Sequence, residues 1–145
     1  MKTILTTNKL LLVIALFITL ISCSRNDDLE IEPTTAELIA HKWFMVKTET
    51  QNPVVIHIAN ACGQQSYFDF TVPNQVKSEN KYMLESGDCE SQGVQEGVYS
   101  ISKEGNDEFL LINLNGTSIQ LKINSLTTSE LIVTSTDGAK SFLKR

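Results

Sequence analysis

Apolar and polar side chains alternate with a period of two through much of the second half of this chain. The alternation is clearest over residues 118–124, where Ile119, Leu121 and Ile123 are separated by polar neighbours. This period is that of a β-strand with one buried face and one solvated face. Beyond residue 42, turn residues recur about every ten positions, so the pattern predicts an all-β domain of short antiparallel strands.

We predict eight strands, preceded by one short N-terminal helix. The spacing of Thr34 and Glu37 is that of a capping box, which predicts a helix over residues 35–41. The strands are expected near residues 43–48, 66–71, 81–85, 97–102, 108–114, 118–124, 130–136 and 140–144.

Short turns join the last five strands into a meander. Asn115-Gly116 and Asp137-Gly138 favour type I′ hairpin turns, in which both central residues have positive φ, and residues 105–107 separate the strands before them. Strands joined by so few residues are antiparallel neighbours. A sandwich would need strands that cross between sheets, so the sequence favours an eight-stranded antiparallel up-and-down barrel.

The interior of an eight-stranded barrel is either filled by side chains or holds one small ligand. We expect Trp43 to plug the closed end of the barrel rather than to carry a ligand, because a plug needs only packing and a partner for the indole N–H. The side chains expected to point inward are Trp43, Met45, Phe68, Phe70, Leu84, Tyr99, Ile101, Leu111, Ile119, Leu121, Ile123, Leu131, Val133 and Phe142.

Residues 1–22 are predicted to be a secretory signal peptide. Lys2 and Lys9 form its basic part, and residues 10–21 form its apolar part. This apolar run of 12 residues is too short for a transmembrane helix, which needs about 20. The segment is therefore expected to direct export and not to span the membrane.

The apolar run ends in Leu20-Ile21-Ser22-Cys23, which resembles the lipobox of bacterial lipoproteins. In that family the cysteine is acylated, so the resemblance implies palmitate on Cys23 and a lipid-anchored protein of the bacterial cell envelope, at the outer membrane. An ordinary cleavage site with Cys23 in a disulfide is the alternative. Acylation is favoured because it leaves an even number of cysteines in an oxidising compartment.

Residues 23–33 are predicted to be an acidic flexible tether, and residues 34–145 the globular domain. The tether is charged, nearly free of apolar side chains and ends at Pro33. Its acidic side chains resemble the signals that send some lipoproteins to the cell exterior, and a plain solvated linker is an equal alternative. These side chains are Asp27, Asp28, Glu30 and Glu32.

Cys62 and Cys89 are the two cysteines that remain, and we predict that they form a structural disulfide. A redox-active pair would favour closer spacing, such as two cysteines separated by two residues. A bridge closing a loop of 27 residues would stabilise the fold by roughly 3.5 kcal/mol on the chain-entropy model.

The charges and the titratable residues exclude several functions. With 12 basic and 17 acidic side chains the net charge is −5, which argues against nucleic acid as a partner. His41 and His57 lack the spacing of metal ligands, and no calcium-loop or nucleophile motif is visible. We expect a monomer that is not an enzyme and uses no metal or cofactor.

The globular part resembles the lipocalin-like domains of bacterial lipoproteins. The matching segments are residues 38–45, 97–101, 123–133 and 141–145, and the resemblance spans 34–145. It implies a small barrel that binds a small apolar ligand. In the family pattern a glycine stands two residues before the tryptophan, whereas this chain has His41.

Residues 49–65 form the longest predicted connection, which is expected to be a lid, a binding loop or an unrecognised strand. If a ligand binds, the contacts are expected from Val54, Val55 and Ile56, with Phe68, Phe70 and Tyr82 below them. For this segment a hydrophobic cap without a ligand is favoured over ligand contact. For the whole domain, the alternative is a module with a filled core that binds a protein or a glycan through its outer surface.

Overall fold

The structure, a computed structural model, describes residues 32–145. The predicted signal peptide, Cys23 and most of the predicted tether lie outside these residues. The described chain begins with helix α1, Thr35–Ile39, and a short 3-10 helix, Gly63–Gln65, follows the second strand. The strands are β1 Lys42–Gln51, β2 Val54–Ile58, β3 Tyr67–Thr71, β4 Gln75–Met83, β5 Cys89–Glu104, β6 Asp107–Leu114, β7 Thr117–Leu126, β8 Glu130–Ser135 and β9 Lys140–Lys144.

Eight of the strands form a closed antiparallel barrel. From β3 to β9 each strand pairs with the next, β1 pairs with β3, and the pairing of β1 with β9 closes the ring. In this closing pair Phe44 lies opposite Lys144 and Glu49 lies opposite Lys140. The predicted up-and-down barrel is confirmed.

β2 is a ninth strand, within the segment predicted to be an irregular connection. It pairs with the second half of β1, from Lys47 opposite Ile58 to Gln51 opposite Val54. The first half of that same edge of β1 pairs with β3. All five residues of β2 are exposed, so the hairpin of β1 and β2 is solvated and lies further along this edge of β1 than β3 does. Of the outcomes expected for this connection, the unrecognised strand is the one observed.

Two strands extend well beyond the predicted boundaries. The strand predicted at 81–85 begins at Gln75, and the strand predicted at 97–102 begins at Cys89. Residues 89–96 are exposed on both faces, so their sequence lacks the alternation that a half-buried strand shows. β4 and β5 therefore form a long hairpin that the periodicity did not reveal.

α1 lies at the end of the barrel where β1 begins. The capping box is confirmed, because the backbone N–H of Glu37 donates to Thr34 Oγ1 and the backbone N–H of Thr34 donates to Glu37 Oε2 at 2.7 Å. The helix ends two residues before the predicted boundary. Within the described part of the chain, no helix has the length and hydrophobicity to cross a membrane.

Trp43 is fully buried next to this helix. Its indole N–H donates to the Ile39 carbonyl oxygen at 2.9 Å, and the guanidinium of Arg145 lies 5.5 Å from the ring. Trp43 thus has the packing and the hydrogen bond expected of a plug. His41 has no positive φ, and its carbonyl accepts a hydrogen bond from the Phe70 N–H at 3.0 Å. The turn into β1 therefore forms without glycine.

Three side chains expected to point inward do not do so. Leu84 and Leu111 are exposed, and Phe142 lies on the outer face with the Lys47 ammonium 4.1 Å from its ring. Leu110 and Leu143, their neighbours in β6 and β9, are buried instead. In both strands two apolar residues are adjacent, so the alternation did not specify which one faces inward.

The two predicted glycine turns differ from one another. Asn115 has φ of 49° and Gly116 has φ of 85°, as a type I′ turn requires. After β8, Gly138 has positive φ and Asp137 does not, so the prediction of a second type I′ turn is wrong. There the Asp137 carboxylate accepts a hydrogen bond from the Ala139 N–H at 3.2 Å and stabilises a wider loop.

Candidate functional site

A cavity of about 190 Å³ lies inside the barrel. Five of the side chains that line it are at most 2% exposed and form its fully buried part. These are Phe70, Leu110, Leu131, Val133 and Leu143. Phe68 lies parallel to Phe70, with ring centroids 6.0 Å apart, and half-buried Met45, Ile119 and Leu121 complete the apolar lining.

Asn80 and Ser141 are the polar residues of this lining. Asn80 is exposed and Ser141 is half-buried, which places both nearer the solvent than the buried leucines. None of the eleven lining residues, all within the described chain, carries a charge. The cavity therefore combines an apolar interior with two neutral hydrogen-bonding side chains.

The strand pairings explain why these two side chains reach the cavity. In β4, Val76 and Ser78 are buried, so the alternation of the strand directs Asn80 to the same face. In β9, Ser141 lies opposite Thr48 on one side and Val133 on the other, two positions before buried Leu143. Both residues follow from the period of two once the strand boundaries are known.

The structure brings together only some of the predicted ligand contacts. Phe68 and Phe70 line the cavity. Val54, Val55 and Ile56 lie on the exposed hairpin of β1 and β2 and do not line it.

Tyr82, the remaining predicted contact, is also outside the cavity lining. It is 42% exposed, and its hydroxyl donates to Glu90 Oε2 at 2.7 Å. Asn80 and Ser141 were not among the predicted contacts.

A disulfide lies at the end of the β4–β5 hairpin, where Met83 pairs with Cys89. Cys62 is bonded to Cys89, with 5.3 Å between their Cα atoms, and this confirms the predicted pair. The bridge ties the segment after β2 to the start of β5. Near it, the backbone N–H of Met45 donates to the Ser66 carbonyl oxygen at 3.0 Å. The segment between β2 and β3 is thereby fixed on both sides.

Comparison with known proteins identifies the family. Residues 39–133 match the family described as the lipocalin-like domain. The chain belongs to this family. No curated protein matches the chain.

Two solved structures share the lipocalin-like fold. One is a lipocalin-like protein from Bacteroides uniformis, with 15% identity and a TM-score of 0.55 over 74% of this chain and 98% of the other. The second is an uncharacterised protein from Bacteroides eggerthii, with 13% identity and a TM-score of 0.53 over 73% of this chain and 98% of the other. At these identities the similarity concerns the fold.

Tyr99 has a buried hydroxyl group in the lipocalin-like barrel. Its ring is 5% exposed and meets Phe70 edge to face, with centroids 5.0 Å apart. Within the described residues the hydroxyl has no hydrogen-bond partner. Burial raises the pKa of Tyr99 above its ordinary value, because a buried phenolate loses its hydration.

A second depression, which we call the outer groove, has a volume of about 620 Å³ and crosses β5, β6 and β7. Exposed Val98 and Leu111 lie in it, and their neighbours Tyr99 and Ile112 are buried, which places the groove on the outer face of the barrel. Its other outward side chains are amides and hydroxyls. These are Asn74, Ser100, Asn113, Ser118, Gln120 and Thr136.

Metal-binding geometry is not found in the described residues. Among residues 32–145, no three histidine, cysteine, aspartate or glutamate side chains are grouped so that they could hold a metal ion. His41 and His57 lie on different elements, the first before β1 and the second in β2. Neither lines the cavity.

Proposed function

We propose that this lipocalin-like barrel binds a small apolar molecule in its interior cavity. The observation that supports this is the cavity itself, about 190 Å³ enclosed mainly by aliphatic and aromatic side chains. An apolar cavity of about 150 Å³ lined by Leu, Ile and Phe accepts benzene, whereas drug-sized ligands need about 300 Å³ or more. The proposed ligand is therefore ring-sized or a short chain.

The expected affinity follows from the surface that such a ligand buries. A single aromatic ring with a small substituent buries about 200 Å² of apolar surface, which is worth about 5 kcal/mol at ~25 cal/mol per Å². This corresponds to a Kd on the order of 0.2 mM. Binding at this level is measurable by titration followed by NMR.

The experiment is a titration of the full chain with toluene. We expect saturable binding that Leu121→Phe weakens at least fivefold, because the larger ring fills part of the cavity. Leu111→Phe is the matched control, since Leu111 lies on the outer face of the adjacent strand. Ile119→Phe provides a second cavity-filling variant if the first fails to fold. Equal affinities of the wild type and of a folded cavity variant would contradict the proposal.

A second candidate function is the binding of a glycan or a protein through the outer groove. The observation in its favour is that amides and hydroxyls surround two exposed aliphatic side chains, Val98 and Leu111, in an uncharged groove of described residues. Uncharged amides and hydroxyls suit a neutral, hydrogen-bonding partner. Loss of glycan or protein binding on Leu111→Phe, with toluene binding unchanged, would favour this function.

We propose further that acylated Cys23 anchors the domain to the outer membrane of a bacterial envelope and that residues 23–33 space it from the surface. The resemblance of residues 20–23 to a lipobox supports the anchor. Residues 34–145 carry 9 basic and 13 acidic side chains, so anionic headgroups would repel the barrel. We propose that the protein is a monomer that acts by binding and not as an enzyme.

A further inference from the structure

We infer that the ligand of the cavity is a small neutral amphiphile, such as an alcohol, a phenol or a primary amide, which inserts its apolar end first and leaves its polar group at Asn80 and Ser141. This inference rests on the proposed binding function of the cavity. It adds the charge, the orientation and the polar contacts of the ligand.

The orientation follows from how exposure varies across the cavity lining. Leu110, Leu131 and Leu143 are at most 2% exposed, whereas Asn80 is exposed. An apolar ring placed among the leucines loses contact with water at no cost to hydrogen bonding. A polar group placed there would lose its hydration without a partner. The polar group is therefore expected at the exposed side of the cavity.

The neutrality follows from the charges around the cavity. No described residue that lines it is charged, so neither a carboxylate nor an ammonium group inside would have a counter-ion to pair with. Two lysines in strands that contribute to the lining, Lys47 of β1 and Lys81 of β4, already have acidic partners. Lys47 Nζ lies 2.7 Å from Glu49 Oε1, and Lys81 Nζ lies 3.8 Å from Glu79 Oε1. The surplus of acidic side chains in the domain further disfavours an anion.

The requirement for a polar group follows from Asn80 and Ser141. The amide of Asn80 both donates and accepts hydrogen bonds, and so does the hydroxyl of Ser141. A pure hydrocarbon that covers these groups displaces the water bound to them and makes no hydrogen bonds in its place. A hydroxyl or an amide on the ligand restores the lost hydrogen bonds. We expect this to favour the polar ligand about tenfold over a hydrocarbon of the same size.

The test uses three molecules of one shape with the full chain at pH 7: benzyl alcohol, toluene and benzoate. Titrations followed by NMR give the Kd of each. We expect benzyl alcohol to bind about tenfold more tightly than toluene, and benzoate to bind at least tenfold more weakly than toluene because its charge must be desolvated without a cation.

Two variants assign the preference to the named side chains. Asn80→Leu is expected to abolish most of the advantage of benzyl alcohol over toluene while toluene still binds. Asn74→Leu is the matched control, since Asn74 lies in the turn before β4 and lines the outer groove instead. Ser141→Ala, which only removes a hydroxyl, keeps the test interpretable if Asn80→Leu does not fold.

The outcomes separate the inference from the proposed function. Equal Kd values for toluene and benzyl alcohol, tighter binding of benzoate, or an unchanged preference in both Asn80→Leu and Ser141→Ala would overturn the inference and leave cavity binding intact. Failure of all three molecules to bind would overturn the proposed function and the inference with it.

Discussion

The Ser66 hydroxyl takes the place of a strand partner beside Lys81. The hydroxyl oxygen accepts a hydrogen bond from the Lys81 N–H at 2.9 Å, and the hydroxyl O–H donates to the Lys81 carbonyl oxygen at 3.4 Å. The last aligned pair of β3 and β4 before this point is Tyr67 opposite Glu79. One side chain therefore continues the wall of the barrel past the end of the β3–β4 ladder, next to Asn80 of the cavity.

Ser66→Ala is predicted to lower the free energy of unfolding by about 1–3 kcal/mol, because Lys81 then loses the partner of its N–H and carbonyl groups in a part-buried site. Urea unfolding measures the change. Ser100→Ala, on the exposed outer face of β5, is the control and should change stability by less than about 0.5 kcal/mol. Equal effects of the two substitutions would refute the role given to Ser66.

Cys89→Ser is predicted to lower the free energy of unfolding by roughly 3.5 kcal/mol in the absence of reductant. Without the bridge that closes the 27-residue loop, the unfolded chain has more conformational entropy and is therefore more stable relative to the folded state. With a strong reductant present, the wild type and the variant should unfold at the same urea concentration. Cys89 is the better site for the test because Cys62 is fully buried. Identical stabilities without reductant would contradict a structural bridge.

The prediction for Tyr99→Phe concerns alkaline pH. Burial raises the pKa of Tyr99 in the folded state above 10.0, so the unfolded chain releases the phenolic proton first as the pH rises. The raised pKa of Tyr99 makes its full contribution to the free energy of unfolding below about pH 10, and this contribution is lost as the pH rises further. We expect the free energy of unfolding of the variant, relative to wild type, to increase as the pH rises above about 10. Thermal unfolding at a series of pH values tests this.

At pH 7 the same variant tests the hydrogen bonding of Tyr99. Because the hydroxyl has no partner within the described residues, its removal should leave stability unchanged or raise it by up to about 1 kcal/mol. A loss of more than about 1 kcal/mol at pH 7 would mean that the hydroxyl has a partner in solution.

Cys23→Ala tests the proposed lipid anchor. Cells grown with a clickable palmitate analogue should label the wild-type chain and not the variant, because the thiol that would carry the diacylglyceryl group is gone. Cys89→Ser is the control, since it also removes one cysteine and should keep the label. Labelling that survives Cys23→Ala would rule out Cys23 as the anchor.

Two adjacent strands show how far the sequence predicts the fold. In β7 one face is apolar and the other is polar, so the inward positions of Ile119 and Leu121 follow from the alternation alone. In β6, residues 109–112 are all apolar, so the sequence is equally compatible with the odd-numbered or the even-numbered side chains facing inward. The contacts with the neighbouring strands decide the phase, and they bury Leu110 and expose Leu111.

The cavity was predictable in part. Phe68 and Phe70 were expected to contact a ligand, and both line the cavity. Asn80 lies just before the strand predicted at 81–85, so the prediction gave its side chain neither an inward nor an outward position. Once β4 is known to begin at Gln75, the period of two places Val76, Ser78 and Asn80 on one face.

The hairpin of β1 and β2 shows the limit of prediction from periodicity. Residues 54–56 are consecutive apolar residues, a pattern usually associated with burial, yet Val54 is 76% exposed and Ile56 is 55% exposed. Ligand contacts were predicted there because apolar side chains in a long connection suggest a lid. The structure instead pairs them with the second half of β1 and leaves their side chains in solvent.

The most direct test of the central claim is the position of bound toluene. In the full chain with ¹³C-labelled leucine and valine methyl groups, intermolecular NOEs identify the protons within about 5 Å of the toluene ring. We predict NOEs to the methyl groups of Leu131 and Val133, which line the cavity. NOEs confined to Val98 and Leu111 of the outer groove, or none at saturating toluene, would contradict binding inside the barrel.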